Sequence, residues 1–348
     1  AILKSDEELD HSGYAAIISG DDGTPGPHIE LTADVDYLAD GDVIAVDPAG
    51  LLRVLYRRRS RHNFLLVTDQ CNSYCLMCSQ PPKQVDDSWR IAELHRVIDL
   101  IDPATETLGF TGGEPTLFGE DFIALVEHCR DRLPATALHI LTNGRRFARR
   151  EFACRLAAAR HPNLTMAVPV YSDVDREHDY VVQAEGAFDE TIAGLLNLAE
   201  QGVEVEIRVV IHRQTYERLP QLAEFIIGNL PFAVHIAIMG LEMTGFTLAN
   251  MDTLWIDPLD YKVELRRAVR TIALAGIDVS IYNHPLCVLP RELWPFARQS
   301  ISDWKNIYLP ECATCDVRGD CGGLFQSAVV RHSRGIQPII VEKRSGWC

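Results

Sequence analysis

From Asn63 onward the chain alternates apolar strand segments with amphipathic helical segments six times, and this alternation restricts the fold of the 348 residues more than any other feature. The strand segments are Phe64 to Thr68, Thr107 to Thr111, Ala137 to Leu141, Thr165 to Val170, Val205 to Ile211 and Val234 to Met239. Between them, segments such as Trp89 to Ile101, Phe122 to Leu133 and Phe188 to Gly202 repeat apolar residues at helical spacing. Repeated βα units cross over right-handed, so their strands lie parallel. Six of them curling together make a partial (βα)6 TIM-like barrel of the α/β class. Such a sheet carries its functional groups at the carboxyl ends of its strands.

Three polar motifs fall at those ends. The first strand runs into Cys71-Asn-Ser-Tyr-Cys75-Leu-Met-Cys78, three thiols in eight residues. That spacing can hold three irons of a 4Fe-4S cluster and leave the fourth iron open to bind and reduce a small molecule. Zinc is the competing reading, but a structural zinc site normally takes a fourth cysteine or histidine close by. The second strand ends in Gly112-Gly113-Glu114-Pro115, where glycines let backbone approach a ligand and a carboxylate can accept from an ammonium group. The third ends in Thr142-Asn143-Gly144, a polar amide followed by a flexible residue.

On these residues the chain resembles the radical S-adenosylmethionine (SAM) superfamily. The resemblance implies that Cys71, Cys75 and Cys78 hold a 4Fe-4S cluster, that Gly112, Gly113 and Glu114 meet the amino group of SAM, and that Asn143 approaches its ribose. Met77 stands where an aromatic residue usually precedes the last cysteine. Backbone atoms meet adenine there, so Met77 is assigned to the cofactor as well. Ser172, after the fourth strand, and Arg208, within the fifth, are assigned to the SAM carboxylate. Their competing readings are a turn-forming serine and an arginine paired with Glu206.

A closer resemblance runs from Asn63 to about Pro338. Cys71 to Pro82, Phe110 to Thr116, Val209 to Thr215 and Ser302 to Asn306 look like the His-Xaa-Ser system radical SAM maturase of the HxsC type. This implies a ribosomally made precursor peptide with His-Xaa-Ser repeats as substrate, modified by a crosslink or another C–H functionalisation. It also implies a paired radical SAM maturase and an electron donor such as flavodoxin or ferredoxin.

Residues 1–62 read as a small β module covering the barrel's bottom, with strands Tyr14 to Ile18, His28 to Leu31, Asp42 to Val46 and Leu51 to Tyr56, the last two joined as a hairpin through Asp47-Pro-Ala-Gly50. Residues 63–255 form the barrel. Residues 256–348 hold a helix from Leu259 to Gly276, a strand from Ile277 to Tyr282, and then Cys287, Cys312, Cys315 and Cys321. Those four match a closed tetrathiolate site and resemble a C-terminal auxiliary iron-sulfur domain, with a second 4Fe-4S cluster favoured over zinc. Cys129 and Cys154 read as core residues, Cys348 as a loose tail, and His178 and His212 as surface groups of loops.

Charge excludes one class of partner. With 33 basic and 49 acidic residues the net charge is -16, which opposes nucleic acid, whose binding rests on phosphate neutralisation. The one basic run, Arg57 to Arg61, reads as a solvated edge. No apolar stretch approaches the roughly 20 residues that span a bilayer, and the first residues carry acids where a signal sequence is basic and apolar. Clustered cysteines fit metal ligation in a reducing compartment, so the expectation is a cytoplasmic protein without a membrane partner. Two other functions compete: a radical cyclase of a small molecule or nucleotide, and a zinc-stabilised interaction protein without catalysis.

Overall fold

A computed structural model describes residues 17–19, 28–30, 37–47, 51–299, 307–329 and 331–341. Two small strand pairs precede the main sheet. β1 (Ile17–Ser19) and β2 (His28–Glu30) run parallel. β3 (Val43–Val46) and β4 (Leu52–Tyr56) form an antiparallel hairpin, which the Asp47 amide closes on the Leu51 carbonyl at 3.1 Å. Tyr14 to Ala16 and Leu31 lie outside the described residues.

Seven parallel strands follow in unbroken order: β5 (Asn63–Thr68), β6 (Thr107–Gly112), β7 (Ala137–Leu141), β8 (Leu164–Pro169), β9 (Glu204–Ile211), β10 (His235–Gly240) and β11 (Asp278–Tyr282). The helices are α1 (Trp89–Leu100), α2 (Glu120–Arg132), α3 (Arg150–Ala158), α4 (Asp175–Val182), α5 (Ala187–Glu200), α6 (Leu219–Asn229), the single turns α7 (Phe246–Ala249) and α8 (Met251–Leu254), and α9 (Lys262–Leu274). Strand alternation sets the layers. On β9, Val205, Ile207, Val209 and Ile211 join the core beneath the helices, while Glu206 and Arg208 take the concave face. This is an α/β fold with the partial barrel of the radical SAM type.

The sheet has one strand more than the six expected. Asp278 to Tyr282, read from sequence as part of the C-terminal segment, pairs in register with His235 to Met239 and becomes the seventh strand. It covers the backbone edge that β10 would otherwise expose, and Val279 and Ile281 join the core. Cys129 is buried on α2, but Cys154 is exposed. On α3 the inward face is Phe152, Ala153 and Leu156, which turns Cys154 toward solvent with Glu151 and Arg155. No helix among the described residues is long and apolar enough to cross a membrane.

Candidate active site

The root of the cysteine loop is welded to the end of β6. The Gly113 amide donates to the Thr68 carbonyl and the Glu114 amide to the Gln70 carbonyl, both at 2.7 Å. A side chain at position 113 would place its Cβ 2.0 Å from the Gln70 oxygen, so only glycine permits this approach. Asp87, almost fully buried, fixes the same turn by accepting from the Thr68 hydroxyl at 2.9 Å and the Asp69 amide at 2.6 Å.

The loop itself is braced from three distant elements. The Tyr74 and Leu76 amides donate to the carbonyls of Val182 and Val181 at the end of α4, each at 2.9 Å. The Phe246 amide donates to the Cys78 carbonyl at 2.9 Å, and Asn250 Nδ2 to the Leu76 carbonyl at 2.8 Å. Arg145, after β7, donates to the Asn72 carbonyl at 2.6 Å and to Ser73 Oγ at 3.2 Å, with Glu190 as its counter-ion. Gly245 makes the α7 brace possible: its φ is +54° and a Cβ there would lie 2.2 Å from the Cys78 oxygen. Gly245→Ala is therefore expected to push the loop outward, with strain of about 1–3 kcal/mol. Chemical reconstitution should then yield less iron per chain than wild type while circular dichroism is unchanged. Equal iron in the two proteins would show that the brace yields without moving the cysteines.

Glu114 acts as a latch between strand ends. Its Oε1 accepts from Thr116 N at 3.0 Å, Thr116 Oγ1 at 2.6 Å and Thr142 Oγ1 at 2.7 Å, and its Oε2 accepts from Asn143 N at 2.6 Å. Burial pushes the carboxyl pKa up, and the four donors pull against that shift. An ammonium group would have to use the acceptor capacity left on Oε2. Asn143 extends the latch, donating from Nδ2 to Asn72 Oδ1 at 2.6 Å. Because each buried donor left unpaired costs roughly 1–3 kcal/mol, Glu114→Ala should lower unfolding free energy by about 2–4 kcal/mol and Glu114→Gln by less. Thermal unfolding of the metal-free proteins checks this, and equal midpoints for wild type and Glu114→Ala would refute it.

Cys71, Cys75 and Cys78 are partly buried and sense one another. Burial pushes Cys71 up to about 11, with the Glu114 carboxylate adding to the shift, and Cys75 up to about 12, with Cys78 and Cys71 adding to it. Cys78 is raised mainly by burial. Three neighbouring thiols on a glycine-cradled loop are the donor set an iron-sulfur cluster takes, since iron holds the thiolate form that burial alone disfavours. Among the described residues no three His, Cys, Asp or Glu side chains focus on one metal-ion position. A cubane presents a separate iron to each sulfur, so its ligands share no such focus. Beside Cys71 an open hollow of about 360 Å³ is lined by Gln70, Tyr74, Pro82 and Lys83.

The other expected cofactor residues are placed as follows. Met77 is buried in an apolar collar with Tyr171, Val181, Val182, Ala187 and Leu254. Ser172 serves the turn after β8, donating to Glu177 Oε2 at 2.7 Å and accepting from the Val174 amide at 3.1 Å. Arg208 pairs with Glu206 at 2.8 Å. Each thus has a partner within five residues of itself. His178 and His212 are buried and not at the surface. His178 Nδ1 accepts from the Tyr171 amide at 3.2 Å, and burial lowers both imidazoles to about 4. Gly112 and Gly113 lie against the loop root already described. Arg145, Asp87, Gly245 and Asn250 escaped the sequence reading, since their contacts join segments far apart in the chain.

The C-terminal cysteines gather around a second cavity. Cys287, Cys312, Cys315 and Cys321 line it together with Leu286, Tyr308, Val317 and Ile339. Backbone amides point at the sulfurs: Leu286 N and Gly323 N to Cys321 Sγ, and Ile339 N to Cys315 Sγ, each at 3.4 Å. Such contacts favour a thiolate, so this donor set also fits a cluster. Residues 333–341 run along one side of the cavity, which Ile336, Gln337 and Ile339 help to line. Ser333 Oγ donates to the buried Asp257 at 2.6 Å, and the Asp316 amide donates to the Ile339 carbonyl at 2.9 Å. Cys348 lies outside the described residues, as does the segment Ser302 to Asn306.

Residues 65–226, just under half of the chain, match the Radical SAM superfamily, and the barrel has the fold of that type. GTP 3',8-cyclase of Mannheimia succiniciproducens is 28% identical over 154 residues, covering 43% of this chain and 44% of the relative. Fe-coproporphyrin III synthase of Methanosarcina barkeri is 25% identical over 163 residues, covering 46% of this chain and 39% of the relative. The chain therefore spans less than half the length of these two relatives. Among solved structures, SuiB of Streptococcus suis bound to S-adenosylmethionine superposes with a TM-score of 0.52 at 18% identity, over 71% of this chain and 55% of that one, a likeness of fold.

Proposed function

We propose that the chain is a radical SAM enzyme that modifies a ribosomally made peptide, the His-Xaa-Ser precursor its motifs imply. One observation carries this reading. The cavity of the four C-terminal cysteines shares Pro285, Gly323, Leu324 and Ile336 with a chamber over the carboxyl ends of β9, β10 and β11. A group held in that chamber lies against the wall of the second cysteine set. Its lining of Leu241, Met243, Trp255 and Phe325 suits an amino-acid side chain better than a polyphosphate.

In this reading Cys71, Cys75 and Cys78 hold a 4Fe-4S cluster, and Gly112, Gly113, Glu114, Asn143 and Met77 surround SAM. Together the two groups supply, when bound, a 5'-deoxyadenosyl radical that takes a hydrogen atom from substrate. The chain's own part is placement and exclusion of water. The collar around Met77 closes the loop on its inner side, and the α4, α7 and Arg145 braces fix where the sulfurs stand. Cys287, Cys312, Cys315 and Cys321 hold the second cluster. A flavodoxin or ferredoxin as electron donor, a paired maturase and a cytoplasmic setting belong to the same reading.

The relatives favour a second reading, a nucleotide cyclase. A triphosphate needs several cations, whereas Glu311, Asp316 and Asp320 accompany the C-terminal cysteines, and Arg318 is stacked over the Tyr308 ring at 4.7 Å. One experiment separates the two. Anaerobic protein given reductant, SAM, GTP and the coexpressed precursor should release 5'-deoxyadenosine and a peptide lighter by two hydrogens for each bond formed, with the GTP unchanged. An unmodified peptide beside a cyclised GTP would establish the second reading in its place.

A further inference from the structure

The chamber over the strand ends holds a cation that its apolar lining does not call for. Arg331 and Trp255 both line it. The guanidinium carbon of Arg331 lies 4.0 Å from the centroid of the Trp255 ring, the shortest arginine–ring contact among the described residues. A planar cation this close rests face-on against the indole, so its N–H donors lie along the plane and stay available at the edge. The acidic partner it has is a weak one. Asp252 Oδ1 stands 3.9 Å from Arg331 Nη1 on a side chain fully in water, where a pair at that distance contributes little. Arg334, on the same segment, shows the ordinary arrangement: it is tied closely to both Asp257 and Asp260. With 49 acidic residues against 33 basic ones, close acidic partners are plentiful in this chain, and Arg331 stands without one.

Its place in the fold matters as much as its pairing. Leu241, in the chamber lining, also packs against the collar that holds Met77, and Trp255 directly follows Leu254 of that collar. Farther round, the lining passes through Pro285, Gly323, Leu324 and Ile336, which the cavity of the four C-terminal cysteines shares. A group seated beside Arg331 therefore touches the surroundings of both cysteine sets. An arginine fork held flat matches a carboxylate, whose two oxygens accept parallel N–H bonds. The stack already orders the side chain, so less rotamer freedom is lost when such a ligand arrives.

We propose that Arg331, held over Trp255, is the carboxylate anchor of the substrate chamber. It takes an acidic group of the peptide, from a side chain or from the C-terminus, while the apolar part of the same residue rests on Leu241, Met243 and Phe325. The proposal rests on the peptide-modifying reading above and names the kind of residue the peptide presents there.

Small acids test the anchor without the precursor. Reconstituted enzyme is titrated calorimetrically with N-acetyl-leucine, whose carboxylate is terminal, and with the α-amide of N-acetyl-glutamic acid, whose carboxylate is on the side chain. The corresponding uncharged amides are the references. At least one acid should bind roughly 10-fold or more tightly than its amide, the usual weight of a hydrogen bond to a charged group. Whichever acid it is identifies the source of the carboxylate. Arg331→Gln should erase the preference, and Arg331→Lys, which keeps the charge but loses the fork, should restore part of it. Acids that bind no better than their amides, or a preference that survives in Arg331→Gln, overturn the proposal. Inorganic phosphate bound more tightly than either acid, and lost in Arg331→Gln, overturns it in favour of a phosphate site. With the precursor itself, Arg331→Gln should raise the concentration needed for half-maximal product roughly 10-fold, and an unchanged value also overturns the anchor. A precursor that wild type leaves untouched counts against the peptide reading, and the small acids then decide the anchor alone.

Discussion

Replacing Cys71, Cys75 and Cys78 together with alanine is expected to remove about four irons per chain and reduce SAM cleavage to background. The size of the effect follows from how the loop is held. Its backbone is fixed at Thr68, Gln70, Leu76 and Cys78 by hydrogen bonds that do not involve sulfur, so the variant should fold with its loop in place. What disappears is the ligand set alone. Asp69 and Glu114 stand nearby, but the Glu114 oxygens already accept four hydrogen bonds, and Asp69 pairs with Arg90 at 3.0 Å. Neither is free to replace a thiolate. Iron analysis, the visible spectrum and 5'-deoxyadenosine release check the expectation together. Undiminished release in the triple variant would sink the assignment of the loop.

The second large effect is expected at the other cysteine set. If Cys287, Cys312, Cys315 and Cys321 hold a cluster, the wild type carries about eight irons and Cys312→Ala/Cys315→Ala about four. SAM cleavage should persist in that variant, because among the described residues the braces and collar of the Cys71 to Cys78 loop come from residues no later than Leu254, well before Cys312. Peptide product should be lost, since the chamber's neighbouring wall would no longer carry an electron acceptor or substrate anchor. Four irons plus one zinc in the wild type would make the set a zinc site. Normal peptide product from the double variant would remove it from the reaction. A colourless zinc protein with no iron at all would leave only an interaction role.

The barrel was legible because its signal is local and repeated. Each strand from β5 to β10 announces itself by two to five apolar residues, and each motif follows its own strand directly. β11 was legible as a strand but not as a member of the sheet, since its partner β10 lies on the far side of α9, with Asp278 paired to His235, 43 positions earlier in the chain. Glu114 was visible as a conspicuous carboxylate. That it joins Thr116 to Thr142 and Asn143 was not, because a side chain's partners across a sheet depend on register, which single-strand patterns leave open. His178 and His212 misled for a related reason: a histidine beyond a strand end looks like loop until His178 is known to lie on α4 against Tyr171 and Phe188, and His212 to pack near the Tyr171 ring. Glu206 shows the reverse case. Its pairing with Arg208 was foreseeable from their two-residue spacing on one strand, whereas His139 and His235 meet it only when the sheet curls.

The bracing of the cysteine loop has a consequence for the order in which the protein is made. Asn250 holds the Leu76 carbonyl from 174 positions farther along the chain, and Thr247 reaches the Met77 carbonyl across 170. A ribosome builds from the amino end, so the three thiols emerge long before these braces exist. Through most of synthesis they belong to a nascent loop without its final shape. Iron delivered during that interval would meet a mobile set of thiols, open to oxidation and to the wrong metal. Faithful loading therefore waits for translation to pass α8, and the timing of metal delivery is written into the distance between Cys78 and Asn250.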